Sequence, residues 1–367
     1  MDAASIERVR EILDSTGMKN SEIAGAIATT PDKLSKSLSG VRKFTTTELA
    51  LLAELAGTTV EWILTGRHRA SPAIAARTAM AAAPHTSDIE TIARRFSEAS
   101  DQLAMLSEPK RDLKALPPLR HVWSYIEQAN ELAAEALAAV SASGSNVVST
   151  PSLVDVVEDA FSIDVAVTSL PEGLDGCSWQ TDEQRLIMLQ PTDRWARQRF
   201  TLAHELGHIL AGDAQELIAE EVPSHSSLET EKRANSFAAA FLMPESEIEA
   251  QIGGSDPDDE QFMRAVCHFR VSPVALAYRL QNLRLLDPSK VESWKAVTAE
   301  TCALATGDYD LVATERARSR ADRIPPRLLI GHLAQYSAHK TSVRPLASLM
   351  DRDPEEIAEL LHPVDAK

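Results

Sequence analysis

Two histidines four residues apart, His204 and His208, with Glu205 between them, are the side chains of this sequence best spaced to do chemistry. On a helix of 3.6 residues per turn they lie one turn apart on a single face, so both imidazoles reach one metal ion about 2 Å from each ring nitrogen. Glu205 points roughly 100° away from His204. Its carboxylate is therefore displaced from the ligand set but placed to take a proton from a water that the ion activates. His-Glu-x-x-His in this arrangement is the helical signature of zinc peptidases, and the chemistry it supports is metal-assisted hydrolysis.

Two histidines do not hold a catalytic zinc, which takes three protein ligands and leaves one open position. The next helical pattern downstream, Glu231 to Leu242, carries an apolar stripe of Phe237, Ala238, Phe241 and Leu242 and is stopped by Pro244. Glu231 falls in its first turn. An antiparallel packing of this helix on the first would turn Glu231 toward the histidines, with Asn235 on the same face to orient a ligand. Spacing alone leaves a second reading open, a solvated first-turn glutamate favoured by the helix dipole.

These two helices need something to stand on. Ser162–Ser169 alternates apolar and polar residues, Arg185–Gln190 is a short apolar run, and Leu174–Gln180 is a weaker third strand between them. A small sheet thus precedes the metal helix, and its edge is a place where an extended peptide can pair through main-chain hydrogen bonds; an ordinary structural meander is the alternative. Asp258–Leu286 reads as two short helices joined at Val271-Ser272-Pro273, with Ser272 as cap.

The segments Arg197–His208 and Glu231–Pro244 together resemble the ImmA/IrrE family of bacterial metallopeptidases, over roughly residues 150–285. The resemblance implies Zn2+ bound by His204, His208 and Glu231, with Glu205 as catalytic base. It also implies a site-specific endopeptidase that cleaves a repressor-type protein and so induces mobile-element or stress-response genes.

Residues 3–65 show short amphipathic stretches near 3–15, 21–28, 31–39, 46–56 and 59–65. Thr45 with Glu48 and Thr58 with Glu61 have capping-box spacing, and Thr30-Pro31 gives a cap followed by a proline at the first helical position. Ser21–Ala28, Thr30–Gly40 and Leu49–Ala53 resemble the Cro/C1-type (XRE) helix-turn-helix family, over about residues 5–66. In that family the helix starting near Pro31 enters the major groove. The resemblance makes Asp32, Lys33, Ser35 and Lys36 the reading candidates, with Arg42 and Lys43 as further phosphate contacts. Against DNA stands a formal net charge of −17 for the whole chain, which repels nucleic acid at long range, and residues 1–70 only balance, with nine acidic and nine basic side chains. The alternative partner for this bundle is a protein, such as the DNA-binding domain of a target repressor.

The expected architecture is mainly α with a small β-sheet, an α+β fold: a helix-turn-helix bundle at 1–68, a helical linker at 69–149, a zincin-like peptidase domain at 150–285 and a helical C-terminal accessory region at 286–367. Within this helical region, Ala70–Pro84 is alanine-rich with a proline near each end and reads as a linker. Helices are expected from Ser87 to about Leu106 and from Leu119 to Val140, pairing within the chain or across a homodimer. Asp213–Thr230 holds five acids and no Lys or Arg, a candidate substrate rim, and contains His225, a surface histidine or an oxyanion donor. Cys177, Cys267 and Cys302 match no disulfide framework or Cys-x-x-Cys site; Cys177 lies in the sheet, as a packing thiol or near the metal. The C-terminal His332, His339 and His362 have no ligand spacing. No apolar run approaches the roughly 18 residues of a membrane span and the amino end lacks a signal-peptide pattern, so a cytoplasmic protein without a membrane partner is expected.

Three functions fit these residues. The first is a regulatory zinc endopeptidase that cleaves a repressor, with its helix-turn-helix for DNA or target binding. The second is a DNA-binding transcription regulator whose peptidase-like domain senses a metal or ligand; an intact Glu205 argues against it, because sensing needs no base. The third is the antidote or immunity protein of a mobile-element pair.

Overall fold

In a computed structural model the described residues are 3–55 (save 17 and 19), 60–65, 73–78, 86–106, 113–116, 124–213 (save 182) and 225–361 (save 255). The chain divides into two compact units, Met1–Ser71 and Pro72–Lys367.

The first unit is five helices: α1 (Ala3–Thr16), α2 (Asn20–Ala26), α3 (Pro31–Leu38), α4 (Thr46–Leu55) and α5 (Val60–Thr65). Ile12, Ile23, Ile27, Leu34, Leu52 and Ile63 are nearly or fully buried and fill its core. Local signals set the boundaries. Thr30 accepts from the Lys33 backbone N–H at 3.4 Å. Thr45 and Glu48 form the reciprocal cap: the Thr45 N–H donates to Glu48 Oε2 at 2.8 Å and the Glu48 N–H to Thr45 Oγ1 at 3.2 Å. Thr58, of the second expected box, lies outside the described residues.

The second unit opens with strand β1 (Ala73–Thr78), followed by α6 (Thr86–Leu106), α7 (Tyr125–Ala142) and α8 (Leu153–Phe161). Then come β2 (Asp164–Val167), β3 (Leu174–Gln180), β4 (Arg185–Leu189), α9 (Trp195–Ala211), α10 (His225–Leu242), α11 (Glu245–Ile252), α12 (Asp259–Phe269) and α13 (Pro273–Asn282). The C-terminal portion is α14 (Pro288–Trp294), α15 (Ala299–Thr306), α16 (Tyr309–Arg320), α17 (Pro326–Ser337), α18 (Arg344–Met350) and α19 (Pro354–Leu361). The fold is thus mainly α with a small mixed sheet.

Three of the four strands form the sheet foreseen from the sequence: β4 pairs parallel with β2 and antiparallel with β3. The fourth, β1, adds antiparallel to the other side of β3, giving the order β1-β3-β4-β2. It lies within Ala70–Pro84, which the sequence offered as a linker and not as a strand. The expectation failed because alanine is a poor strand former, and β1 is held by the exposed edge of β3 rather than by its own propensity. Beyond β2, Val167 forms a bridge with Arg323, and Arg327 Nε donates to Asp164 Oδ1 at 2.9 Å, so the C-terminal portion closes that margin.

The pleat sends alternate residues to two cores. Val165, Val167, Ile187 and Leu189 face α8, α9 and α10, where Trp195, Phe237, Phe241, Phe262 and Phe269 are buried. Ala166, Cys177, Trp179, Leu186 and Met188 face α6 and α17 with Phe96, Leu103 and Leu328. The apolar face of α6 is therefore covered from within the chain. His332 also belongs to this packing: its Nε2 donates to the Ala99 carbonyl at 2.8 Å. His362 lies outside the described residues.

Candidate metal centre

The site is built where α9 and α10 cross above the sheet. Every residue of α9 from Thr201 to Leu210 is buried, and Gly212, at φ +77°, ends the helix in the left-handed conformation that favours glycine. Two other glycines permit the close approaches. A Cβ on Gly207 would stand 2.9 Å from Phe237 Cδ1 and 3.4 Å from Ala234 Cα, so α10 lies almost against the α9 backbone. A Cβ on Gly176 would stand 2.6 Å from Thr201 Cγ2 and 3.2 Å from the Met188 carbonyl, so β3 is equally close on the other flank. The metal helix is thereby wedged between a helix that supplies one acid and a strand that supports another.

His204 Nε2 and His208 Nε2 face each other at 3.1 Å. Glu231 closes the triangle, Oε2 at 3.4 Å from His204 Nε2 and Oε1 at 3.2 Å from His208 Nε2. The other ring nitrogens are engaged: His204 Nδ1 donates to Asn235 Oδ1 at 3.2 Å, and His208 Nδ1 to Asp213 Oδ2 at 3.1 Å. With both Nδ1 atoms donating, the two Nε2 lone pairs and a carboxylate converge on one point, which calls for positive charge there. Burial alone would lower the pKa of His208, but the Asp213 and Glu231 carboxylates push it up to about 10, and the two histidines hold Glu231 well below the usual carboxylate range even though desolvation opposes this. A divalent cation answers the same demand more fully than one proton. Two imidazoles and a carboxylate are also the donor set that suits such an ion, and among the described residues this is the cluster able to hold one.

Glu205 stands outside the triangle, buried against β3. Ser178 Oγ donates to its Oε2 at 2.9 Å, while Oε1 is buried without a hydrogen-bond partner. Burial raises its pKa, opposed by the neighbouring histidines and Ser178. A carboxylate with one oxygen anchored and one unspent is suited to accept a proton from water.

The sequence-derived residues His204, Glu205, His208, Glu231 and Asn235 are thus brought together. The helix bearing Glu231 begins earlier than expected, at His225, which puts Glu231 in its second turn rather than its first. That removes the dipole reading of Glu231, which applies to the first turn. Residues 214–224 of the acidic segment lie outside the described residues. Cys177 is on the opposite face of β3 from Ser178, and burial pushes its thiol pKa well up, so it packs rather than ligates.

Two contributors were missed. Asp213 follows Gly212, and the left-handed turn there brings its carboxylate back to His208; Arg233 of α10 holds the other oxygen of Asp213 and also donates to Gln128 of α7. An acid five residues after the second histidine, just past a helix-ending glycine, is the signal that could have found it. Ser178 carried no such signal, since only the pairing of β3 with α9 reveals it.

The candidate groups of the first unit are arranged differently. Asp32, Lys33, Ser35 and Lys36 are all exposed on α3, with Lys36 Nζ 2.8 Å from Asp32 Oδ2, and Lys43 is exposed beyond it. Arg42 is engaged within the unit, donating to both oxygens of Glu48 at 2.9 and 3.0 Å and to Ser37 Oγ at 2.9 Å.

A buried His-Glu-x-x-His helix crossed by a glutamate-bearing helix over a mixed sheet is an arrangement that could hold a metal ion. In agreement, residues 158–281 match the family model described as the IrrE N-terminal-like domain, a metallopeptidase family. The match covers less than half of the chain and takes in β2, β3 and β4 but not β1, with both helices of the site and α11 to α13. A comparison with curated proteins gave no match. Among the described residues, no helix is long and apolar enough to cross a membrane.

Proposed function

We propose that this chain is a regulatory zinc-dependent endopeptidase that hydrolyses a bond in a repressor-type protein. The observation that carries the reading is Glu205: a buried carboxylate with one oxygen fixed by Ser178 and the other unpartnered beside the His204–His208–Glu231 triangle. A site that merely sensed a metal would have no use for it, which weighs against the regulator reading.

His204, His208 and Glu231 would hold the ion, with Asn235 and Asp213 fixing the two rings. Zinc bound there supplies Lewis-acid polarisation of a carbonyl and lowers the pKa of nearby water. Glu205 Oε1 accepts a proton from the attacking water and later delivers it to the leaving amine, so the proton count closes over one turnover. Ser178 holds the carboxylate in place during both transfers. The half-exposed Glu231 marks the open side of the site, from which a peptide enters.

The five-helix first unit would act as a helix-turn-helix for recognition, of DNA through the exposed face of α3 or of the target protein. Arg42, spent on Glu48, does not serve phosphate in this scheme. The test is co-expression of the wild-type and Glu205→Gln chains with repressors encoded beside the gene. A repressor fragment seen by intact mass only with wild type is expected. No fragment from any of them, with both chains binding the neighbouring promoter, would move the regulator reading to first place; a chain that only sequesters a neighbouring toxin would support the antidote reading.

A further inference from the structure

The sheet edge nearest the base is already filled by the chain itself. β3 pairs with β4 on one side and with β1 on the other. In this register Ala75 lies opposite Ser178, the residue that anchors Glu205, and Ala76 opposite Cys177, while β1 also lies against α9. The backbone of Ala73–Thr78 therefore occupies the stretch of β3 on which an extended peptide would have to pair to bring a bond to Glu205. We infer that Ala73–Thr78 is an internal occupant of the substrate-strand position, which must leave β3 before an external extended peptide can bind. This rests on the peptidase reading for its function, though not for its geometry.

The composition of β1 suits an occupant that exchanges. Three of its six residues are alanine, against Val, Ile and Leu in β2 and β4. A strand of this length on a sheet edge gains little beyond its ladder hydrogen bonds, so a competing peptide with better strand formers can replace it.

Antiparallel pairing supplies an internal control. Of two adjacent residues in an edge strand, one exchanges hydrogen bonds with its neighbour strand and the next points its N–H away. Of Ala75→Pro and Ala76→Pro, one must remove a ladder bond and the other must not. Both would be made in the full chain carrying Glu205→Gln, so that nothing is turned over. The probe is a fluorescent peptide of residues 71–80, followed by anisotropy. One proline variant should bind it about tenfold or more tighter than the parent, because emptying the site removes the population penalty on binding, and the other should bind like the parent. Equal affinity in all three proteins, binding in none, or unfolding of the full chain by the ladder-breaking proline would each overturn the inference. Repressor cleavage by chains retaining Glu205 is scored separately. Peptide capture without cleavage keeps the strand exchange and removes the peptidase reading, whereas cleavage with unchanged peptide capture does the reverse.

Discussion

The α9–α10 crossing and the exposed face of α3 both carry charged side chains singled out by spacing, yet they are organised in opposite ways. At the crossing each polar group is held from another element: His204 by Asn235, His208 by Asp213, Asp213 by Arg233, Glu205 by Ser178. On α3 the groups are in solvent, and Lys36 pairs with Asp32 one turn away on the same helix. Burying ionisable groups is costly unless each is paired, and the pairing at the crossing offsets that cost in the way functional sites do. The α3 face costs nothing to keep and commits to nothing. Arg42–Glu48 shows that burial of charge alone does not mark a site: the two are spent on each other, and Glu48 also on a helix cap.

That contrast can be sharpened by substitutions, beginning with the largest effect. Glu48→Gln should destabilise the first unit by about 2 kcal/mol, since the bidentate bond to Arg42 and the cap to Thr45 both weaken, and partial exposure of Arg42 screens the rest. Burial would raise the Glu48 pKa, but its bonds to Arg42, Thr45 and Thr29 bring it down to about 2. A group whose folded pKa is depressed contributes stability above its unfolded value, near 4.5, and loses it as pH falls toward about 2. Denaturant melts of the wild-type first unit should therefore lose stability across that window, and the Glu48→Gln unit should lose less. An identical pH profile for both would assign the effect to other carboxylates.

Asp213→Asn or Asn235→Ala should weaken metal affinity by about 10- to 100-fold while leaving the ligand set intact, the usual effect of releasing a ligating imidazole from its hydrogen-bond partner. Competition with a chromophoric chelator measures this, and unchanged affinity in both would show that the rings are positioned by packing alone. The smallest effect belongs to α3. Lys33→Ala should leave the melting temperature unchanged and, where the unit binds DNA, reduce the slope of log K against log salt by about 0.9, one phosphate contact. A drop in melting temperature would give this lysine a structural part that its exposure does not suggest.

Much of the site was legible because helical spacing is rigid. His204, Glu205 and His208 fix their own relative geometry, and the stripe Phe237–Leu242 fixes which face of α10 turns inward, so Asn235 follows. Capping chemistry was equally local, as Thr45–Glu48 and Ser272 show. What was not legible depended on tertiary contact. Ser178 means nothing until β3 lies along α9. Asp213 needs the turn at Gly212. β1 forms because β3 has an open edge, against the preference of its own alanines. The start of α10 at His225 was missed because Ser226, Ser227 and Thr230 read as loop residues, although α10 packing on α7 and α9 holds the helix there.

His204, His208 and Glu231 would form one ion site, with Glu205 beside it but outside. Metal content after zinc loading and desalting tests it most directly, by elemental analysis of the wild type, Glu205→Gln and Glu231→Ala chains. One tightly held zinc is expected in the first two and none in the third. Full zinc occupancy in Glu231→Ala, or its loss in Glu205→Gln, would contradict it.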